Sequence, residues 1–174
     1  MKQPTNADLF LSVVEANKGI LYKVTNAYCH NPDDRQDLLQ EIIVQLWKSF
    51  DSYNGQYKYT TWIYRIALNV AISFYRKENR RQEIANPLPE QIMLFTDESE
   101  QDLIEKNTGV LQRFIAQLKE LDRALILLYL EERPQKEIAQ IMGISESNVA
   151  TKISRIKQVL KQKFEALALS NHGR

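Results

Sequence analysis

"QKEIAQIMGISESNVATKISRIK", residues 135–157, sets one glycine between two helix-like runs, and its reading decides the fold. Glycine inside a helix costs about 1 kcal/mol relative to alanine. Gly143 is therefore either a weak point in one helix or a break between two. Its neighbours favour the break. Pro134 suits the first turn of a short helix whose inward face is Ile138, Ala139, Ile141 and Met142. Gly143 fits the left-handed position that closes a helix, with Ile144 as the apolar residue just beyond. Ser145 is the next N-cap candidate, although Asn148 stands where a full capping box needs Glu or Gln. Val149, Ile153, Ile156, Leu160 and Phe164 then recur on one face of a last helix. Upstream, Asp122 is expected to cap a helix carrying Leu125, Leu128 and Tyr129, with Leu121 placed for a hydrophobic staple. Two helices joined by a tight turn, with small Ala139 allowing close approach, make a helix-turn-helix.

The second helix of such a unit can enter the major groove, its N-terminal residues reading base edges. Its outward face offers Ser147, Asn148, Thr151, Lys152 and Arg155, small hydrogen-bonding groups first and cations after. From Lys152 to Lys163 the chain carries Lys152, Arg155, Lys157, Lys161 and Lys163 without an acid. The alternative is a helical hairpin with a solvated basic face. Glycine, caps, periodicity and charge all agree on the DNA-binding reading.

The rest of the 174-residue chain has an ordinary soluble composition, with 26% charged and 44% hydrophobic residues. Five glycines and five prolines are too few for an all-β chain of many tight turns. One cysteine, Cys29, and two histidines exclude an internal disulfide and leave little for metal chemistry. Cys29 is expected to be a small core residue. With no signal-like N-terminus and no apolar run near the roughly 20 residues of a membrane span, a cytoplasmic protein is expected.

Net charge is +1, but it is unevenly spread. Residues 1–85 carry 11 basic and 9 acidic groups, residues 86–109 carry 1 and 6, and residues 110–174 carry 11 and 7. Two mildly basic blocks thus flank an acidic one, which points to an electrostatic partner. "ANPLPEQIMLFTDESEQD" opens with Pro87 and Pro89, which discourage helix, and reads as a flexible linker over residues 86–109. Its apolar patch, Ile92 to Phe95, is expected to rest on a neighbouring domain; the alternative is an acidic segment filling a groove meant for nucleic acid.

Residues 1–85 read as a helical bundle. A first helix from about Ala7 to Tyr28 aligns Leu9, Val13, Ala16, Ile20, Val24 and Ala27. Asn31, Pro32 and Asp33 stop it and cap the next, whose apolar face is Leu39, Ile43, Leu46 and Phe50. Asp37, Gln40, Glu41, Val44 and Lys48 share another face of that helix. In "TTWIYRIALNVAISFYRKENRR", Ile63, Ile66, Ala67, Val70 and Phe74 make the buried stripe. Trp62, Arg65, Asn69, Ser73, Arg76 and Arg80 line a second one, preceded by Tyr53, Asn54, Tyr57, Lys58 and Tyr59. Aromatics beside cations suit single-stranded nucleic acid: bases stack on rings while cations hold phosphates. The alternative is that the rings are half-buried core and the arginines are solvated.

Taken together, these residues resemble a bacterial RNA polymerase sigma factor of the extracytoplasmic-function (ECF) type over nearly the whole chain. The resemblance implies an all-α fold of two small helical domains joined by the acidic linker, the second containing the helix-turn-helix. It implies sigma region 2 in residues 1–85 and sigma region 4 in residues 110–174. It implies that Asp37, Leu38, Gln40 and Glu41 in "DRQDLLQEIIVQLWKSF" bind polymerase. In "YTTWIYRIALNVAISFYRK", Trp62, Arg65, Asn69 and Arg76 would open and read the −10 element, with Tyr57 and Lys58 in the loop that captures an extruded base. Ser147 lies on the outward face of the last helix, where Asn148, Thr151, Lys152 and Arg155 match the −35 reader. Two places depart from the family pattern: many relatives carry an acid near Ser73, where "AISFYRK" has none, and many carry a basic residue at the position of Ala150.

The partners so implied are core RNA polymerase (the β′ clamp and the β flap), promoter DNA and an anti-sigma factor, with no cofactor and no covalent chemistry. A stand-alone regulator binding DNA through residues 110–174 alone, its N-terminal bundle serving dimerisation or a ligand, is the competing reading. An enzyme has little material: His30 and His172 are far apart, and Cys29 and His30 lack further ligand pairs.

Overall fold

A computed structural model describes residues 3–85 and 100–172. Its elements, all helical among the described residues, are α1 (Asn6–Ala16), α2 (Lys18–Tyr28), α3 (Pro32–Phe50), α4 (Tyr59–Ala85), α5 (Glu100–Ala116), α6 (Glu120–Leu130), α7 (Gln135–Met142) and α8 (Glu146–His172). Helices α1–α4 form one bundle and α5–α8 a second. The expected linker patch Ile92–Phe95 lies outside the described residues, and the last part of the expected linker, from Glu100, is the start of α5.

The first expected helix is two. Asn17 donates its side-chain amide to the Val13 carbonyl at 2.8 Å, and its own backbone closes α1 before α2 begins. A short amide competing for helix carbonyls is what favours such a break. The change of direction leaves Leu9 and Ala16 exposed and buries Phe10, Leu21, Thr25 and Tyr28 beside the expected Val13, Ile20 and Val24. Helix α3 starts as predicted: Asn31 accepts from the Asp33 amide at 2.8 Å, Pro32 holds the first turn, and Asp33 and Asp34 meet the dipole.

The buried line of α3 is Leu38, Ile42, Leu46 and Phe50, with Leu39 and Ile43 only half-buried. The expected line was centred one residue away. In α4, Ile63 and Ala67 are buried as expected, while Ile66, Val70 and Phe74 are half-buried. Tyr64, Leu68, Ala71 and Ile72 are buried instead, because α4 packs on α2 and α3 and also on α6 and α7.

In the second bundle the capping expectation for Asp122 fails. Lys119 holds the N-cap position without a side-chain bond, and Asp122 sits inside the first turn, where it still meets the positive end of the dipole. Leu121 is exposed, so it forms no staple against the core. Pro134 precedes α7, and Gly143 ends it at φ 68°, ψ 33°. The Gly143 and Ile144 amides both return to the Ala139 carbonyl, at 2.9 and 3.2 Å. The Asn148 amide donates to Ser145 Oγ at 3.2 Å, capping α8. Gly143 is thus a break, closed by a left-handed residue as the sequence indicates.

The two bundles share one continuous apolar core. At their junction lies Arg123, 1% exposed. Its guanidinium donates to the carbonyls of Ala27 (3.3 Å), Leu118 (3.4 Å) and Ala116, and to Tyr75 Oη (3.1 Å). It also lies 4.4 Å from the Tyr75 ring centre and 5.2 Å from that of Tyr28. Carbonyls and ring faces replace the water that a buried cation loses.

Candidate nucleic-acid interface

The loop between α3 and α4 is tightly built. Asn54 Oδ1 accepts from the Gln56 amide at 3.0 Å, Gly55 turns the chain at φ 73°, and Tyr53 Oη donates to the Tyr57 carbonyl at 2.5 Å. Tyr53 stacks on Tyr59 with centroids 4.4 Å apart and meets Trp62 at 5.3 Å. Trp62 also touches Phe50 and Tyr59, at 6.2 and 6.4 Å. The Arg65 guanidinium lies 5.6 Å from the Tyr57 ring centre. Tyr53, Tyr57, Tyr59, Trp62 and Arg65 are half-buried, whereas Lys58, Asn69, Ser73, Arg76 and Arg80 are exposed. The rings of the stripe thus pack on one another while staying partly in solvent, Arg65 lies half-buried against Tyr57, and Lys58, Arg76 and Arg80 are exposed.

Further along α4, Ser73, Arg76, Lys77, Arg80 and Arg81 line a shallow open cleft of about 430 Å³. Arg76 is already engaged, its Nε 2.5 Å from Glu120 Oε1. That hydrogen bond holds the Glu120 carboxyl below the usual range.

On α8, Ser147, Asn148, Thr151 and Arg155 are exposed and Lys152 is half-buried. Thr151 Oγ1 donates to the Ser147 carbonyl at 3.0 Å, which leaves the hydroxyl oxygen outward as an acceptor. Lys152 and Arg155 border a cleft of about 330 Å³. Three of the five cations of this helix are spent internally. Lys157 reaches Tyr129 Oη (3.1 Å), Lys163 reaches Gln117 Oε1 (2.8 Å), and Lys161 lies 3.8 Å from Glu165.

On α3, Asp37, Gln40 and Glu41 are exposed along one face. Leu38 is not part of it. At 0% exposure it belongs to the core, so its side chain cannot meet a partner. Trp47, 46% exposed and nearly one turn beyond Val44, extends the face and was missed. Its spacing of three from Val44 was the available signal. Cys29 is buried, and burial pushes its thiol up to about 11. Arg123 carried no sequence signal beyond a cation inside the apolar run "LDRALILLYL".

Family models agree with this geometry. The Sigma-70 region 2 model matches residues 13–81 and the Sigma-70 region 4 model matches residues 108–160. The ECF RNA polymerase sigma factor SigM of Bacillus subtilis is 32% identical over 139 residues, covering 79% of this chain and 80% of its own. The chain belongs to the ECF RNA polymerase sigma factors. It is a factor for promoter recognition and transcription initiation, and sigma factors as a class are non-enzymatic. A second relative, SigW of the same species, is 27% identical and covers 92% of this chain and 91% of its own. Among solved structures, CnrH in complex with the cytosolic domain of CnrY matches with TM-score 0.64 and 19% identity over 90% of this chain and 88% of that one. The sigma factor RpoE of Bartonella quintana, in complex with the anti-sigma factor NepR, matches at 0.63 and 18%, covering 91% and 96%. At such identity these two establish the fold. Among the described residues no helix is long and apolar enough to cross a membrane.

Proposed function

We propose that this sigma factor divides promoter reading between two chemically different faces. Residues 1–85 act as region 2: Tyr57, Lys58, Trp62, Arg65, Asn69 and Arg76 accept the opened −10 strand. Residues 110–174 act as region 4: Ser147, Asn148, Thr151, Lys152 and Arg155 read the −35 duplex. Asp37, Gln40 and Glu41, joined by Trp47, dock on core polymerase, and Leu38 supports them from the core. The chain catalyses nothing itself, works in the cytoplasm, and is a candidate for an anti-sigma partner by likeness to RpoE with NepR.

The observation that carries this reading is the contrast between the clustered, half-exposed rings at residues 53–62 and the exposed polar face of α8. Rings with a free edge can exchange base–base stacking for base–ring stacking, at roughly 1–3 kcal/mol per base. Hydroxyl, amide and cationic groups suit base edges and phosphates of closed duplex.

The test measures the two steps separately on the holoenzyme. Lys152→Ala with Arg155→Ala should weaken closed-complex binding in a gel shift and lower its salt slope by about one per lost phosphate contact. Tyr57→Ala should spare that step and impair strand opening, seen as lost permanganate reactivity of unpaired thymines. A pre-melted bubble should partly restore the Tyr57 variant and do much less for the other. Identical defects in both variants would favour the stand-alone regulator.

A further inference from the structure

The loop of residues 51–58 joins α3 to α4, and both of its ends are tied down. The Ser52 and Tyr53 amides donate to the carbonyls of Ser49 and Phe50, at 3.2 and 3.1 Å, and the Trp62 amide donates to the Lys58 carbonyl at 3.1 Å. Between these ends the chain turns at an exposed tip of Asn54, Gly55 and Gln56. The tip has little to hold its shape. Gly55 sits at φ 73°, and the Asn54 side chain holds only the Gln56 amide. Beyond the tip, one side chain among the described residues closes the loop by a hydrogen bond. Tyr53 Oη donates to the Tyr57 carbonyl across four residues.

The same side chain also meets the helix. Its ring stacks on Tyr59 at 4.4 Å, with the planes 23° apart, and lies 5.3 Å from Trp62. Tyr59 and Trp62 stand in the first turn of α4, which the buried Ile63 and Tyr64 fix in the core. Tyr53 thus ties a loop with few bonds of its own to a packed helix, hydroxyl to one and ring to the other. The carbonyls of Tyr57 and Lys58 are both engaged, so the peptide planes on either side of Lys58 are set. Tyr57 is thereby held where its ring meets the Arg65 guanidinium, 5.6 Å away.

We propose that Tyr53 is a positioning residue for base capture, acting through its hydroxyl to hold the Tyr57 ring at a fixed height beside α4. The proposal rests on the assignment of Tyr57 and Trp62 to the opened −10 strand made above. Its reason is preorganisation. A base that leaves the duplex gains stacking only where a ring already stands at the right spacing and angle. A loop free to swing has to be ordered at each capture, and that ordering weakens the capture. Tyr53 itself needs no contact with DNA. One atom separates its two roles, because phenylalanine keeps the ring contacts with Tyr59 and Trp62 but has nothing to donate to the Tyr57 carbonyl.

The experiment compares Tyr53→Phe, Tyr57→Ala and the double variant as holoenzymes on a duplex promoter that the wild-type holoenzyme transcribes. Affinity for core polymerase, closed-complex affinity by gel shift and the rate of permanganate reactivity are measured for each, with Tm of the free chain. Tyr53→Phe should leave both affinities within about twofold and slow opening about two- to tenfold, the range that one net neutral hydrogen bond is worth. Tyr57→Ala should slow opening by about tenfold or more. The double variant should open no more slowly than Tyr57→Ala alone, because the hydroxyl acts through that ring. Opening of Tyr53→Phe at the wild-type rate, with or without a lower Tm, would overturn the positioning role and leave Tyr53 to the fold alone. Losses that simply multiply in the double variant would overturn action through Tyr57, as would a matching loss of affinity for core polymerase in Tyr53→Phe. Normal opening by Tyr57→Ala is a separate outcome: it removes the base-capture reading itself, and the role of Tyr53 with it.

Discussion

Region 2 and region 4 present the residues proposed to read the promoter in opposite ways. In region 2 the rings at residues 53–62 are half-buried, and Trp62 packs against Phe50. The proposed reading groups and the packing share the same atoms there. In region 4 the face of α8 stands clear of the core, which Val149, Ile153 and Ile156 serve from the other side of the helix. A surface for unstacked bases needs rings held rigidly at a fixed angle, and packing supplies the rigidity. A surface for duplex needs free polar groups on a straight helix, and the helix alone supplies that. Substitutions in the ring cluster of region 2 should therefore mix folding and function, while those on α8 should separate them.

The largest effect should come from Leu38. Leu38→Ala empties a fully buried site and should cost about 2–5 kcal/mol in chemical denaturation, with loss of polymerase binding as a consequence of unfolding. Asp37→Lys with Glu41→Lys, one residue and about one turn away on the exposed face, should leave the unfolding free energy within about 0.5 kcal/mol and still weaken binding to core polymerase. Equal stability losses in the two variants would erase the distinction drawn between core and face on α3.

Gly143→Val should come next, because one left-handed residue joins α7 to α8. A Cβ at Gly143 would meet nothing within 4 Å, so the cost is backbone strain alone at φ 68°. It should be about 1–3 kcal/mol, seen as a lower Tm. Gly143→Asn should recover much of it, since Asn tolerates this conformation. Trp62→Ala is expected to lower Tm and impair strand opening together, whereas Lys152→Ala with Arg155→Ala should leave Tm nearly unchanged.

The smallest effect concerns the link between the regions. The Glu120 carboxyl is held below its ordinary 4.5, chiefly by the hydrogen bond from Arg76. A lowered folded pKa means that this link contributes fully above about pH 4.5 and is lost as pH falls through the lower folded value. Denaturation measured from pH 6 down to pH 3 should show a slightly shallower acid loss in Glu120→Gln than in the wild type. Both partners are partly exposed, so the difference should be small.

The features legible in the sequence are those set by short-range physics. The left-handed Gly143, the Ser145 and Asn31 caps, the outward polar line of α8 and the aromatic–cation stripe of α4 all depend on residues within a few positions of each other. Steric limits on φ, local hydrogen bonds and helical periodicity act at that range. The same logic placed Asp37, Gln40 and Glu41 on one face and put Cys29 inside. It misplaced the core line of α3, because Leu38 and Leu39 are equally apolar and only the helices packed around α3 decide which one is covered. It also ran α1 into α2, since an Asn side chain turning back on Val13 leaves no trace in hydrophobic spacing.

Arg123 is the clearest case of what tertiary structure decided. Read locally, it is a cation in the first turn of an apolar helix, expected in solvent. Its burial depends on the Ala27 carbonyl and the Tyr28 and Tyr75 rings, contributed by α2 and α4 far along the chain. A charge can leave water only where such groups converge, and that convergence exists only once region 4 has folded onto region 2.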